Sequence, residues 1–368
     1  MNIRKIDSLQ LFCMIVLFQL GSSVVLGIGL EAKKNAWIAI FLSTIIGIGL
    51  YFLYICIYRM VGLEKNLHAI LQYIFSRPIG FFLSLLYYLY FLYLAARVTA
   101  DFSFFSNGVL LWNVPSWTLK LTILLIAAYI CFLGIEALGR SSEALSLIMF
   151  TFIIIIIVMV FTQEEFRVNN LRPVLEEGMQ PIFKAMFPTL ITFPFGELIV
   201  FLCYFQYLKT FTKYQKNGWL AVLTSGTILM VASILNVGVL TDELAKTFTF
   251  PFIKTIEHIN FLNFLHHIEL LAVFVFIIGG LIKISIFSYA GITGLADLFK
   301  IKKEQKVIFP FLLIVYLISV FFMKNFIIHL HIGLKIVPLY IHLFFQYLIP
   351  IMGFLILLFR FFLRKRSK

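Results

Sequence analysis

Thr192-Phe193-Pro194-Phe195-Gly196-Glu197 lies near the middle of an apolar run from about Phe183 to Tyr207. A run of that length suits a membrane span, which needs ~20 apolar residues. Its centre does not suit a regular helix. Pro removes a backbone donor and clashes with the preceding turn. Gly weakens a helix interior by ~1 kcal/mol relative to Ala. A carboxylate at bilayer depth costs ~2.5–3.5 kcal/mol even on a lenient insertion scale. A span holding all three is expected to break there and to face protein or a water-filled cavity.

The rest of the chain fits a membrane setting. It has 368 residues, 62% hydrophobic and 13% charged, with a mean hydropathy of +1.02. These values lie outside the soluble globular range. The net charge of +13 would suit nucleic acid. Lys and Arg gather in short segments between apolar runs, however, which orientation in a membrane explains better, and no nucleic-acid partner is expected. Cys13, Cys56, Cys131 and Cys203 are scattered through apolar runs as small core residues. Neither a disulfide framework nor a metal site is expected from them. Arg4 and Lys5 precede a long apolar run without a small-residue cleavage site, which reads as a retained span.

The expected fold class is all-α integral membrane, as one polytopic domain over residues 1–368 with ten transmembrane helices. They fall at about 9–30, 36–59, 80–108, 117–136, 142–162, 183–208, 217–240, 268–296, 307–327 and 335–362. Placing both termini in the cytoplasm puts the larger share of Lys and Arg inside. Leu67, Ile70, Leu71, Ile74 and Phe75 form the stripe of an amphipathic helix on the cytoplasmic interface. Residues 164–181 form an outer loop, and residues 241–267 a longer one with enough apolar content to fold back as a lid.

A second interruption stands in the first span, Gly21-Ser22-Ser23-Val24-Val25-Leu26-Gly27. Spans one and six correspond if the chain is two five-span halves, about 8–162 and 183–362. An odd number of spans per half makes the halves inverted repeats, with broken helices one and six in matching places. Such a pair is the best sequence pointer to a midplane binding site. The N-terminal end of a half-helix suits a carboxylate, and the C-terminal end suits an ammonium or other cation. A small amino acid carries both groups. The ligand-binding candidates are therefore Gly21, Ser22, Ser23 and Gly27 with Phe193, Phe195, Gly196 and Glu197. For Gly21–Gly27, close packing of small residues between helices is the competing explanation.

Charges inside the spans add wall, gate or coupling candidates. Arg97 and Asp101 share a helix face, so an internal ion pair competes with a functional role. Tyr93 lies one turn earlier. Lys283 sits near the centre of span eight, too deep to snorkel, and can pair with Glu197 or Glu269. Ser285 and Tyr289 follow it. His266, His267, His329 and His331 are placed at the interface, without metal-ligand spacing. No nucleotide-binding or hydrolytic motif is present, which argues against an enzyme and implies no cofactor.

Several stretches resemble the B subunits of spore germinant receptors, the amino-acid-permease-like membrane proteins of endospore-forming bacteria. They are Leu9-Gln10-Leu11-Phe12, Phe18-Gln19-Leu20-Gly21, Ala36-Trp37, Phe193-Pro194-Phe195-Gly196-Glu197, Phe264–Glu269, Gly279-Gly280-Leu281-Ile282-Lys283-Ile284-Ser285, Tyr289 and Gly294-Leu295-Ala296. The similarity covers most of the chain. It implies a five-plus-five inverted repeat like the amino acid–polyamine–organocation transporters. It implies a receptor subunit that binds a small nutrient germinant, often an amino acid such as alanine, and works with A and C subunits in the spore inner membrane. Two other classes compete: a proton-coupled amino-acid transporter in which Lys283 or Glu197 titrates, and a structural subunit that only holds partners.

Overall fold

The computed structural model describes residues 5–62, 65–209, 211–258 and 268–366. Among the described residues the chain is helical throughout, with one isolated β-bridge between Ile6 and Leu208. Seven helices are long and apolar enough to cross a membrane, or eight if the bent pair Gln305–Phe321 and Phe326–Ile336 is one span.

The first element, α1 (Ser8–Leu20), starts at a reciprocal cap. The Gln10 amide donates to Asp7 Oδ1 at 2.9 Å and the Asp7 amide to Gln10 Oε1 at 3.1 Å. It ends where the sequence predicts the first break. From Gly21 to Gly29 the backbone runs in irregular turns, with φ of +59° at Gly27 and +83° at Gly29, a region that residues with a Cβ rarely enter. A short 3₁₀ turn, Leu30–Asn35, leads into α2 (Ala36–Val61).

The amphipathic helix is α3 (Leu67–Phe75), and Leu67, Ile70, Leu71 and Ile74 are its buried stripe. It folds back along α4 (Arg77–Val109), because Gly80 lets the backbones meet: a Cβ there would lie 2.4 Å from Gln72 Cα. Arg360 donates to the carbonyls of Tyr73 and Ile74 at 2.7 and 2.9 Å, closing the exposed end of α3. Next come α5 (Ser116–Leu133) and α6 (Ile135–Phe161).

The second predicted break is also present. α7 (Gln180–Ala185) passes into a π-helical stretch, Met186–Leu190; turns cover Phe193–Phe195; and the chain resumes as a 3₁₀ helix, Gly196–Cys203. Its far end pairs with the chain start, Ile6 N donating to Tyr207 O at 2.9 Å and Lys209 N to Ile6 O at 3.1 Å.

Beyond it lie α8 (Phe211–Ala245), α9 (Pro251–Glu257), α10 (Glu269–Leu298) and α11 (Gln305–Phe321). The last long helical path begins at α12 (Phe326–His331) and ends as α13 (Ile349–Arg366). The tenth expected span, at about 335–362, matches the apolar stretch Pro338–Leu363, and the segment Phe326–Ile336 before it is bent by 115° from α11. Two π-helical stretches, Ile332–Ile336 and Pro338–Leu348, connect α12 to α13. Pro338 has no N–H to give, and a π-helical register tolerates that gap. The lid expected over residues 241–267 contains α9, with Phe252, Ile253 and Ile256 buried; residues 259–267, including His266 and His267, lie outside the described residues.

α10 is the central post. It packs along α4 and against α1, α5 and α6, while α1 is embedded between α6, α8 and α10. Phe, Leu and Ile dominate the outward surface of α6, α11 and α13, as lipid contact requires.

Candidate functional site

The two broken segments meet at Lys283. Gly279 brings α10 against the end of α1, since a Cβ on it would sit 2.6 Å from Gly21 Cα. The Lys283 stem runs past Gly21, and its Nζ lies 2.5 Å from Glu197 Oε2 in the second break. The rings of Phe193 and Phe18 flank the ammonium, with centroids 4.6 and 5.1 Å away. Both side chains are buried, and neither Nζ nor Oε2 has another hydrogen-bond partner among the described residues. A charge pair this dry persists because either charge alone would be far worse off. Of the two partners considered for Lys283, the structure selects Glu197.

A second polar pair lies toward α12. His329 Nε2 contacts Asp101 Oδ1 at 2.7 Å. The expected Arg97–Asp101 ion pair is therefore replaced. Arg97 instead donates to the Tyr93 hydroxyl at 3.5 Å and to the His329 carbonyl at 3.4 and 3.5 Å. The guanidinium reaches that carbonyl across Gly333, where a Cβ would lie 1.6 Å from one of its nitrogens. His329 is likewise not interfacial. It is buried, 4% exposed, because α12 turns inward toward Asp101. His331 is exposed as expected.

Between these pairs lies a small cavity of about 30 Å³, room for about two waters. Leu26 borders it from the first break and Phe193 and Glu197 from the second. Arg97 and Asp101 come from α4, and His342 from the last helical path. On the other side of Arg97 is a wider groove of about 680 Å³, lined by Tyr93, Phe322, Lys324, Ile328 and His329 among others. Arg97 borders both spaces.

The remaining predicted residues do not line the cavity. Gly21 packs on Gly279, and Gly27 lies under Pro251 of α9, 2.5 Å from a would-be Cβ. Ser22 and Ser23 are buried with hydroxyls that find no partner among the described residues. Phe195 packs on Gly47 of α2. Gly196 makes room for Gln346, whose Oε1 would be 2.1 Å from a Cβ at that position. Ser285 donates to Leu281 O at 2.8 Å and so turns back on its own helix. Tyr289 lies by Tyr204 and Tyr207, ring centroids 6.2 Å from each, at the end where Ile6 meets Leu208.

The polar floor joins Tyr90 of α4 to His342 and Gln346, two residues that the sequence reading passed over. His342 Nδ1 lies 2.6 Å from the Tyr90 hydroxyl, which also accepts from Gln346 Nε2 at 2.8 Å. The π-helical stretch leaves carbonyls for side chains: Tyr87 donates to Phe345 O at 2.6 Å and Tyr54 to Gln346 O at 2.9 Å. The available signal was the pair His342 and Gln346, four apart on one face of an otherwise apolar run.

A family model described as spore germination protein matches residues 5–327. The chain is 33% identical to Spore germination protein KB of Bacillus subtilis (strain 168) over 368 residues, which is 100% of this chain and 98% of the relative. It is 25% identical over 313 residues to Spore germination protein A2 of the same organism, 83% of each chain. It is 26% identical over 261 residues to Spore germination protein YndE, 70% of this chain and 69% of the relative. With buried charges held inside a bundle of apolar helices and a match along nearly its whole length, this chain belongs to the spore germination protein family.

Proposed function

We propose that the chain is the membrane subunit of a spore germinant receptor, binding a small nutrient germinant between its two broken segments. An amino acid is the ligand class the family resemblance suggests. The observation that carries this reading is the junction at Lys283, where both breaks and a buried carboxylate converge beside one small polar cavity. Ten spans in a five-plus-five inverted repeat account for the arrangement. The start of α1 lies beside the end of the second broken segment, a proximity that inverted halves would also give. A and C subunits are the expected partners, the spore inner membrane the expected location, and the cytoplasm the side of both termini.

A cavity of about 30 Å³ is too small for an amino acid. Binding therefore favours a more open state, and occupancy shifts the equilibrium between the two. α9 is the natural lid: Pro251 caps Gly27, and Phe250 packs on Phe105 and Phe326, ring centroids 4.9 and 5.9 Å away. The transporter alternative draws on the same buried Lys283–Glu197 pair, which a proton could open. Uptake of labelled amino acid into vesicles under a proton gradient would favour it.

Val98 borders the cavity and is 4% exposed. Val98→Phe fills that space. Spores carrying it at the normal protein level should need a germinant concentration at least about tenfold higher, with Val98→Ile near wild type. An unchanged dose response for Val98→Phe rejects the site.

A further inference from the structure

Each carboxylate beside the cavity already has a close side-chain partner. Glu197 holds Lys283 and Asp101 holds His329. Arg97 has neutral acceptors, the Tyr93 hydroxyl and the His329 carbonyl, at 3.4–3.5 Å. Among the described residues no carboxylate oxygen lies within ion-pair distance of it. A guanidinium carries five N–H donors in a planar fork suited to a carboxylate, and hydrogen bonds of that length use little of this capacity. Its position matters as much as its valence. Arg97 borders both the small cavity and the groove of about 680 Å³, held over Gly333, where a side chain would displace it.

We propose that Arg97 is the ligand's anion receptor. A small molecule bearing a carboxylate enters by the groove, its carboxylate takes the guanidinium fork, and its remaining atoms enlarge the cavity beside Phe193 and Glu197. This rests on the receptor reading above and narrows it. The ligand is recognised through its acid group by a side chain, and the half-helix ends serve the rest of the molecule. The Lys283–Glu197 pair stays closed during recognition, so a free ammonium on the ligand is not required.

The test uses the full-length chain in nanodiscs, in a buffer free of carboxylates, with matched probes: L-alanine against L-alaninamide and propionate against propionamide. Binding is read as ligand-dependent thermal stabilisation. The acids should stabilise the wild type and the amides should not. Arg97→Gln should lose about tenfold or more in affinity for the acids, the scale of a charge-assisted hydrogen bond, and should no longer distinguish acid from amide. Arg97→Lys, which keeps the charge but not the fork, should retain part of the preference and serves if Arg97→Gln does not accumulate. Wild type that binds amides as well as acids, or binds no acid, overturns the proposal. So does an Arg97 variant with an unchanged acid preference. Val98→Phe separates the two claims. If it leaves acid binding intact while Arg97→Gln abolishes it, anion recognition stands and the cavity between the breaks is not the site.

Discussion

Lys283 and Glu197 touch each other and otherwise meet rings and backbone, so their energies belong to the pair. Removing one partner leaves a buried charge with nothing to answer it, at a cost of about 3–5 kcal/mol; replacing both with apolar groups of similar size is close to neutral. Lys283→Met alone should therefore lower the thermal midpoint sharply. The double variant Lys283→Met with Glu197→Leu should recover most of the loss, as a double-mutant cycle in detergent would read. Equal stability of wild type and single variant would mean that the contact carries no weight. If the double variant is stable yet spores carrying it ignore germinant, the pair serves signalling rather than folding. Both residues were legible in the sequence because a lone charge in an apolar run is conspicuous. The partners of Asp101 and Arg97 were not. Spacing on α4 offered each to the other, but the choice was made by His329 and Gly333, more than 200 residues later.

The two breaks were legible as elements because Gly and Pro act locally: they deny the helix its donor or its stiffness wherever the fold places them. The π-helical stretches beyond α12 were not: Gly333 and Pro338 stand in them, yet the helical path continues through both, and the shifted register depends on tyrosines arriving from α2 and α4. The amphipathic α3 was legible from its stripe, but its attachment was not. That attachment has a pH dependence. His68 sits on α3 with Nδ1 3.1 Å from Ser84 Oγ of α4, and partial burial lowers its pKa below the ordinary 6.5. The unfolded histidine then binds a proton more readily than the folded one. The contribution of His68 is complete above about pH 6.5 and falls away as pH drops through the lower folded value. Amide exchange in residues 67–75 should accelerate between pH 7 and pH 5, and His68→Gln should blunt that change. An identical acceleration in the variant would place the titrating group elsewhere.

At the scale of the whole molecule, the question is whether the broken segment from α7 to the β-bridge crosses the bilayer. Its interrupted helices are each too short and irregular to qualify as spans by length, yet a crossing there is what makes the two halves inverted. Parity decides it. Lys33, which pairs with Glu177 across the loop after α6, lies just before α2. Lys303 lies just before α11. Between them run α2, α4, α5, α6, α8 and α10, an even set that returns the chain to its starting side. One further crossing by the broken segment makes the set odd and puts the two lysines on opposite faces. The positive-inside asymmetry then places Lys303, with its neighbours Lys300, Lys302 and Lys306, in the cytoplasm. Cys56 is the exposed native thiol among the described residues, so Cys56→Ser clears the background. In that variant Lys33→Cys should react with an impermeant maleimide on intact cells, and Lys303→Cys should react after permeabilisation alone. Labelling of both from one side would mean that the broken segment re-enters without crossing. The carboxylate of Glu197 would then still meet Lys283, but the five-plus-five repeat would be lost.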